Sequence, residues 1–333
     1  MSIGDGTSDV CSAYRPRPGP GPSAMGTGLA LALVSAVTFG LSGPFAKALI
    51  DAGWSATGTV LVRLGGAAVV LAVILAATRP GVLVAIRRDG FGLLLYGVLA
   101  MALVQVAFFN AMRYLAVPVA LLLEYAGPVL VIVWVWLVRR QPPTRRTLLG
   151  GGLAIAGLVL VVQIWSADAV SPAGLAWGLT AAVCQAGYFL IADRADVGTP
   201  PLVLAGAGTV VGTVTVGLLG LVGLLPLAVD PHAVGVLLAG LDVGWPVTAA
   251  LLILVSTVLA YLTGIGAIRR IGASGASLVG LLEVVSSAVA SWLLLGEVPT
   301  AVQGLGGALI LLGVGLSQTR RLRSRRRRRP SSL

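Results

Sequence analysis

AMRYLAVPVALLLEYAGPVLVIVWVWLVRRQPPTRRTLLGGGLAIAGLVL, residues 111–160, contains in miniature what the rest of the chain repeats. Two apolar runs, over 116–138 and 147–165, flank a short segment holding Arg139, Arg140, Arg145 and Arg146. Each run has the roughly 20 residues that a helix needs to cross a bilayer. Inside the first run stands a single acid, Glu124, with Pro128 four residues later.

The same grammar extends outward in both directions. Of 333 residues, 57% are hydrophobic and 11% charged, against about 25% charged in a soluble domain. Apolar runs separated by charged, glycine or proline breaks predict ten helices, over 27–46, 57–77, 91–112, 116–138, 147–165, 173–192, 201–226, 246–268, 272–295 and 300–318. The fold class is therefore all-α integral membrane. Arginines fall on alternate sides of these runs. Arg15, Arg17, Arg79, Arg87, Arg88, Arg139, Arg140, Arg145, Arg146, Arg194, Arg269 and Arg270 share one side with the C-terminal tail, while Lys47 and Arg113 lie on the other. Positive charge marks the cytoplasmic face, so both termini are expected in the cytoplasm.

The opening stretch also aligns with a later one. Slid so that Arg113 falls on Arg269, it meets AIRRIGASGASLVGLLEVVSSAVASWLLLGEVPTAVQGLGGALILLGVGL, residues 267–316. Sixteen of the fifty positions agree, among them Trp136/Trp292, Pro143-Thr144/Pro299-Thr300 and Gly157/Gly313. The chain then divides into a disordered cytoplasmic tail, 1–25; a first five-helix repeat, 26–166; a second, 172–318; and a basic cytoplasmic tail, 319–333. Five helices per repeat force the second copy to enter the membrane inverted. Inverted repeats of this kind build secondary transporters with a site near the midplane, although duplication alone can also build a stable bundle.

These motifs carry a resemblance. AMRYLAVPVALLLEYAGPVLVIV in the first half and ASLVGLLEVVSSAVASWLLLGEVPTAVQGLGGALILLGVG in the second resemble the drug/metabolite transporter superfamily, in its EamA-type branch. Leu295-Gly296-Glu297 followed by a glycine-rich helix matches that branch. The LLLEYAGPV run is most similar to threonine/homoserine exporter relatives. The resemblance implies two five-helix repeats in a bacterial inner membrane, and export of a small amino acid or related metabolite. Two positions depart from the family pattern: Val284, where many relatives have proline after the ninth-helix glutamate, and Gln141, where the first repeat lacks a partner for Glu297.

The polar residues inside apolar runs are the candidate site. An acid at the centre of a membrane helix costs about 2.5–3.5 kcal/mol, so Glu124 and Glu283 need a partner or a role. Glu124 lies roughly 12 Å into its helix, at 1.5 Å per residue. Pro128 has no N–H for the carbonyl of residue 124 and marks a helix break. An acid beside a broken helix suits a substrate ammonium or a proton. Glu124 can alternatively be locked by an ion pair to Arg63. Arg63 in turn either grips a substrate carboxylate or extends its head to the outer interface. Gln105, Asn110, Tyr125 and Tyr261 either line the same cavity or hydrogen-bond between helices. The glycine-rich fifth and tenth helices suit close packing or homodimerisation.

Other classes are weaker. IGASGASL, residues 271–278, resembles an intramembrane serine-protease segment, yet the one histidine, His232, falls in the loop on the opposite side from Ser274. No phosphate-binding loop and no Cys/His metal cluster is present, so neither a cofactor nor a metal is expected. Cys11 and Cys184 imply no disulfide. The eight arginines of RRLRSRRRRR read as a contact with anionic lipid headgroups rather than nucleic acid. A passive facilitator and a non-transporting scaffold remain the alternatives.

Overall fold

The computed structural model describes residues 22–78, 89–140, 145–162, 171–192, 200–233 and 235–327. Most of the N-terminal tail, Arg79, Arg87, Arg88, Gln141, Arg194 and the last residues of the basic tail lie outside them. The side chains of Pro128 and Ser274, and those from 317 onward, also lie outside the description.

In chain order the helices are α1 (Pro22–Gly40), α2 (Ser42–Asp51), α3 (Ala56–Thr78), α4 (Gly90–Tyr96), α5 (Val104–Ala111), α6 (Val117–Glu124), α7 (Gly127–Arg139), α8 (Arg145–Val162), α9 (Pro172–Ala192) and α10 (Pro201–Leu221). A two-stranded hairpin follows, β1 (Leu237–Leu238) and β2 (Leu241–Asp242), then α11 (Trp245–Ala250), α12 (Ala260–Gly280), α13 (Leu282–Leu295) and α14 (Ala301–Arg327). Two π-helical stretches, Gly97–Leu103 and Leu251–Leu259, join α4 to α5 and α11 to α12. Among the described residues six helical stretches are long and apolar enough to cross a membrane: Met25–Asp51, Ala56–Thr78, Gly90–Ala111, Val117–Val138, Pro201–Leu221 and Trp245–Ile271. The molecule is an all-α, multi-pass membrane protein. Phe91, Leu137, Leu221 and Leu293 project apolar side chains outward, as a lipid-facing surface requires.

The helices depart from the apolar runs at specific places. The first run is interrupted at Leu41, and the fourth at Tyr125–Ala126, where α7 restarts with Pro128 in its first turn. A loop expected at 269–271 is absent. Instead α12 continues to Gly280 and the interruption falls at Leu281. Arginine is a good helix former, and Arg270 Nη1 donates to the Gly266 carbonyl one turn back at 3.0 Å. Shifted by the repeat offset, Tyr125 falls on Leu281, so both halves break at corresponding places. The two π-helical stretches correspond in the same way.

Helices of the first half pack mainly on helices of the second. The closest pairs are α8 with α14, α1 with α12 and α3 with α10, while α9 packs on α5, α6 and α7. Without a hydrophobic drive between helices in lipid, such packing relies on small residues and buried hydrogen bonds. The glycines of the fifth and tenth runs serve it within this chain, with Gly157 against Gly306 and Gly313 against Gly150. At one end, the segment after α10 covers the helix ends. Trp54 Nε1 donates to the Asp230 carbonyl at 2.9 Å and its ring lies 5.6 Å from that of Trp245. His232 sits exposed in this segment.

Candidate functional site

Between the halves lies a cavity of about 130 Å³. Arg63, Gln105, Glu124, Glu283, Ser42 and Ser287 supply its polar lining, and Phe39, Phe108 and Leu121 its apolar walls. This is small beside the roughly 300–1,000 Å³ typical of drug-sized ligand sites.

Arg63 is 2% exposed, which excludes the reading that it extends to the interface. Its Nε donates to Thr257 Oγ1 at 2.9 Å and its Nη1 to Gln105 Oε1 at 2.7 Å. The guanidinium stands 5.5 Å from the centre of the Phe109 ring. Both acceptors are placed by the π-helical stretches. Thr257 lies inside the second, its hydroxyl donating to the Leu252 carbonyl five residues back at 2.8 Å. Gln105 lies two residues beyond the first. Widening a turn advances every following side chain around the helix, and π turns recur at functional sites for that reason.

The acids occupy the two broken helices. Glu124 ends α6, and its Oε1 accepts from Gln185 Nε2 of α9 at 2.9 Å. Glu283 begins α13, and its Oε2 accepts from the Tyr125 hydroxyl at 3.2 Å. Among the described residues the ion pairs are Lys47 with Asp51 and Lys47 with Glu297. No ion pair forms between Arg63 and Glu124. Three of these hydrogen bonds cross between halves, Arg63 with Thr257, Tyr125 with Glu283 and Glu124 with Gln185, whereas Arg63 with Gln105 stays within the first.

Three residues expected at the site, Tyr125, Asn110 and Tyr261, are not among the cavity-lining residues, although Tyr125 bonds the lining Glu283. Asn110 is buried, but its Nδ2 donates to the Val106 carbonyl of its own helix at 2.8 Å. Tyr261 packs edge-on against Phe39, centroids 5.0 Å apart, and its hydroxyl reaches Met101 Sδ at 3.1 Å. Conversely, Ser42, Gln185, Thr257 and Ser287 escaped the sequence reading. Gln185 carried the same signal as Gln105, a lone amide in an apolar run. Serine and threonine carry little signal, because hydroxyls of this kind can bond a carbonyl of their own helix and so are ordinary residues of apolar runs. The Ser42 and Ser287 hydroxyls are buried without a hydrogen-bond partner in the protein. Among the described residues, no three His, Cys, Asp or Glu side chains cluster as metal ligands would.

The halves are alike in family as well as in helix breaks. The EamA-like transporter family pattern matches residues 26–163 and, a second time, residues 172–319. The chain belongs to the EamA-like transporter family. This places it in the drug/metabolite transporter superfamily, as a membrane transporter and not an enzyme, with a small-molecule substrate and a lipid surround. Among curated relatives of this EamA-like protein, the uncharacterized inner membrane transporter YicL of Salmonella typhimurium is 28% identical over 304 residues, covering 89% of this chain and 96% of that protein. The uncharacterized transporter YyaM of Bacillus subtilis is 25% identical over 256 residues, covering 76% of this chain and 81% of the relative. One solved crystal structure matches with a TM-score of 0.54 at 20% identity, over 88% of this chain and 98% of the other, which establishes likeness of fold alone.

Proposed function

We propose that this EamA-like protein is a secondary transporter of the bacterial inner membrane, built from two inverted five-helix repeats with both termini cytoplasmic. It exports a small amino acid or related metabolite by alternating access, in exchange for protons. The observation that carries the reading is the pair of acids, Glu124 and Glu283, at helix breaks around one cavity between the halves. Glu124 takes the substrate ammonium or the coupling proton, since a carboxylate in a dry site can alternate between neutral and charged. The hydroxyls of Ser42 and Ser287 lack protein partners and so offer further hydrogen bonds to a polar cargo. Arg63 is already held by Gln105 and Thr257, so it attracts a substrate carboxylate as a fixed charge more than as a free fork.

The three contacts that cross between halves, Arg63–Thr257, Tyr125–Glu283 and Glu124–Gln185, support alternating access, because a rocking motion would exchange them together. The basic tail would rest on anionic headgroups of the inner leaflet. The test is efflux of a preloaded amino-acid mixture from cells expressing the chain, with Glu124→Gln as control. Selective loss of a few amino acids, abolished by the substitution and by collapse of the proton gradient, is the expected result. Wild-type rates in the inserted Glu124→Gln protein would remove the role of that residue. Efflux that persists without the gradient would favour a passive facilitator.

A further inference from the structure

The helix that ends in Glu124 is held at its other end by a residue of the opposite half. Helix α6 is eight residues long, and its N-cap, Ala116, supplies no side-chain cap. Pro118 has no N–H, so the leading N–H that needs a partner is that of Val117. It donates to Glu297 Oε2 at 2.9 Å. Glu297 is itself fixed to the end of α13. Gly296 turns the chain in the left-handed conformation, φ 72°, and the Glu297 amide donates to the Ser291 carbonyl at 3.2 Å. One carboxylate thus ties α6, which carries Glu124, to α13, which carries Glu283.

Lys47 extends the tie to two more cavity helices. From α2, which carries Ser42, its Nζ lies 3.7 Å from Glu297 Oε1 and donates to the Met112 carbonyl at 2.8 Å. Met112 follows α5, which carries Gln105. Both Lys47 and Glu297 side chains are 16% exposed, so the pair is shielded from the screening that weakens surface pairs. Four cavity-lining helices, α2, α5, α6 and α13, therefore meet at one charged node. Along α6 it stands about 10 Å from Glu124, seven residues at 1.5 Å each.

We infer that the Lys47–Glu297 node is an outer latch. It positions the acid-bearing helices and holds the cavity closed on the side of the 112–116 and 296–300 turns, which is the external side in the proposed topology. Opening toward that side must separate α6 from α13, and so must break the Val117–Glu297 hydrogen bond. Neither residue touches the cavity; both act through the helices they hold. The inference rests on the cavity being the transport site for its consequence, but its test needs no cargo.

The probe is Leu121→Cys, a cavity-wall position, in a chain with Cys11→Ser and Cys184→Ser, labelled from outside intact cells by a membrane-impermeant methanethiosulfonate. Glu297→Gln keeps an acceptor for Val117 but loses the charge, Lys47→Met loses the cation, and Lys47→Arg keeps it. Labelling is expected to quicken about tenfold in Glu297→Gln and Lys47→Met, equivalent to about 1.4 kcal/mol of lost preference for the closed form. In Lys47→Arg it should stay near the parent rate. Glu297→Asp, with a shorter reach, replaces either variant that fails to insert. Labelling that rises in none of the inserted variants, or rises equally in Lys47→Arg, overturns the latch. Quickened labelling together with absent efflux would keep the latch and remove the transport reading.

Discussion

Replacing Gly157 by alanine should loosen the seam between the two halves. Gly157 lies where α8 meets α14, and a Cβ there would stand 2.9 Å from both the backbone nitrogen and Cγ1 of Ile310, and against the Gly306 carbonyl oxygen. The isoleucine side chain can rotate away, but the two backbone atoms cannot, so the helices must separate locally. Overpacking of this sort costs about 1–3 kcal/mol. Helix propensity acts the other way, since alanine is better than glycine by about 1 kcal/mol. Gly152 isolates that opposing effect: it lies on the same helix, exposed, with nothing within 4 Å of an added Cβ. Unfolding of the purified protein in detergent, by heat or denaturant, would compare the two alanine variants. Gly157→Ala should be less stable than Gly152→Ala by about 1–3 kcal/mol, because propensity cancels in the difference. Gly306→Ala should behave like Gly157→Ala, since its Cβ would lie 2.6 Å from the Gly157 carbonyl oxygen. Equal stability of Gly157→Ala and Gly152→Ala would refute backbone-to-backbone packing at this seam.

Two other predictions follow from the polar contacts. Gln105→Leu and Thr257→Val each remove a charged hydrogen bond from Arg63 and should each cost about 1.5–3 kcal/mol. Ser256→Ala should cost less, since that hydroxyl serves only the Leu252 carbonyl of its own helix. Equal losses in all three, read by the same unfolding measurement, would show that Arg63 is not held as described. At the outer node, burial first of all pushes the Glu297 carboxyl above its ordinary range. The Val117 N–H and Lys47 oppose that rise and Asp51 adds to it. The folded state then keeps a proton that the unfolded chain has released. Stability should therefore fall as pH rises just above the ordinary carboxylate range. Glu297→Gln should remove that part of the slope, and an unchanged pH profile in the variant would assign it to other groups.

Much of the architecture was legible because membrane insertion reads local composition. Apolar runs located the six membrane-length helical stretches found among the described residues, and Gly157, Trp136 and Pro143 lined up with second-half counterparts without any coordinates. Glu124, Arg63, Gln105 and Glu283 stood out because a polar group in a twenty-residue apolar run needs a reason. The run boundary at 269–271 misled for an equally local cause. Two arginines look like a loop on a hydropathy scale, yet they favour helix, and the chain turns at Leu281 instead. The π-helical stretches left no trace, since a shift in hydrogen-bond register leaves composition unchanged. Asn110 shows the converse: its polarity flagged it, yet its Nδ2 bonds the Val106 carbonyl of its own helix and it does not line the cavity.

The sequence by itself determined a multi-pass helical protein, its internal duplication and the few polar side chains its membrane helices must shelter. Transfer to lipid depends on residue type over a short window, so a string of letters contains it. Only the tertiary structure decided which of those side chains meet. Gln185 reaches Glu124, Tyr125 reaches Glu283, Thr257 reaches Arg63 and Glu297 caps the helix of Val117, each across more than sixty residues of chain. Those pairings depend on helix phase, on where each helix breaks and on how the halves cross, and none of these is set by any one segment alone.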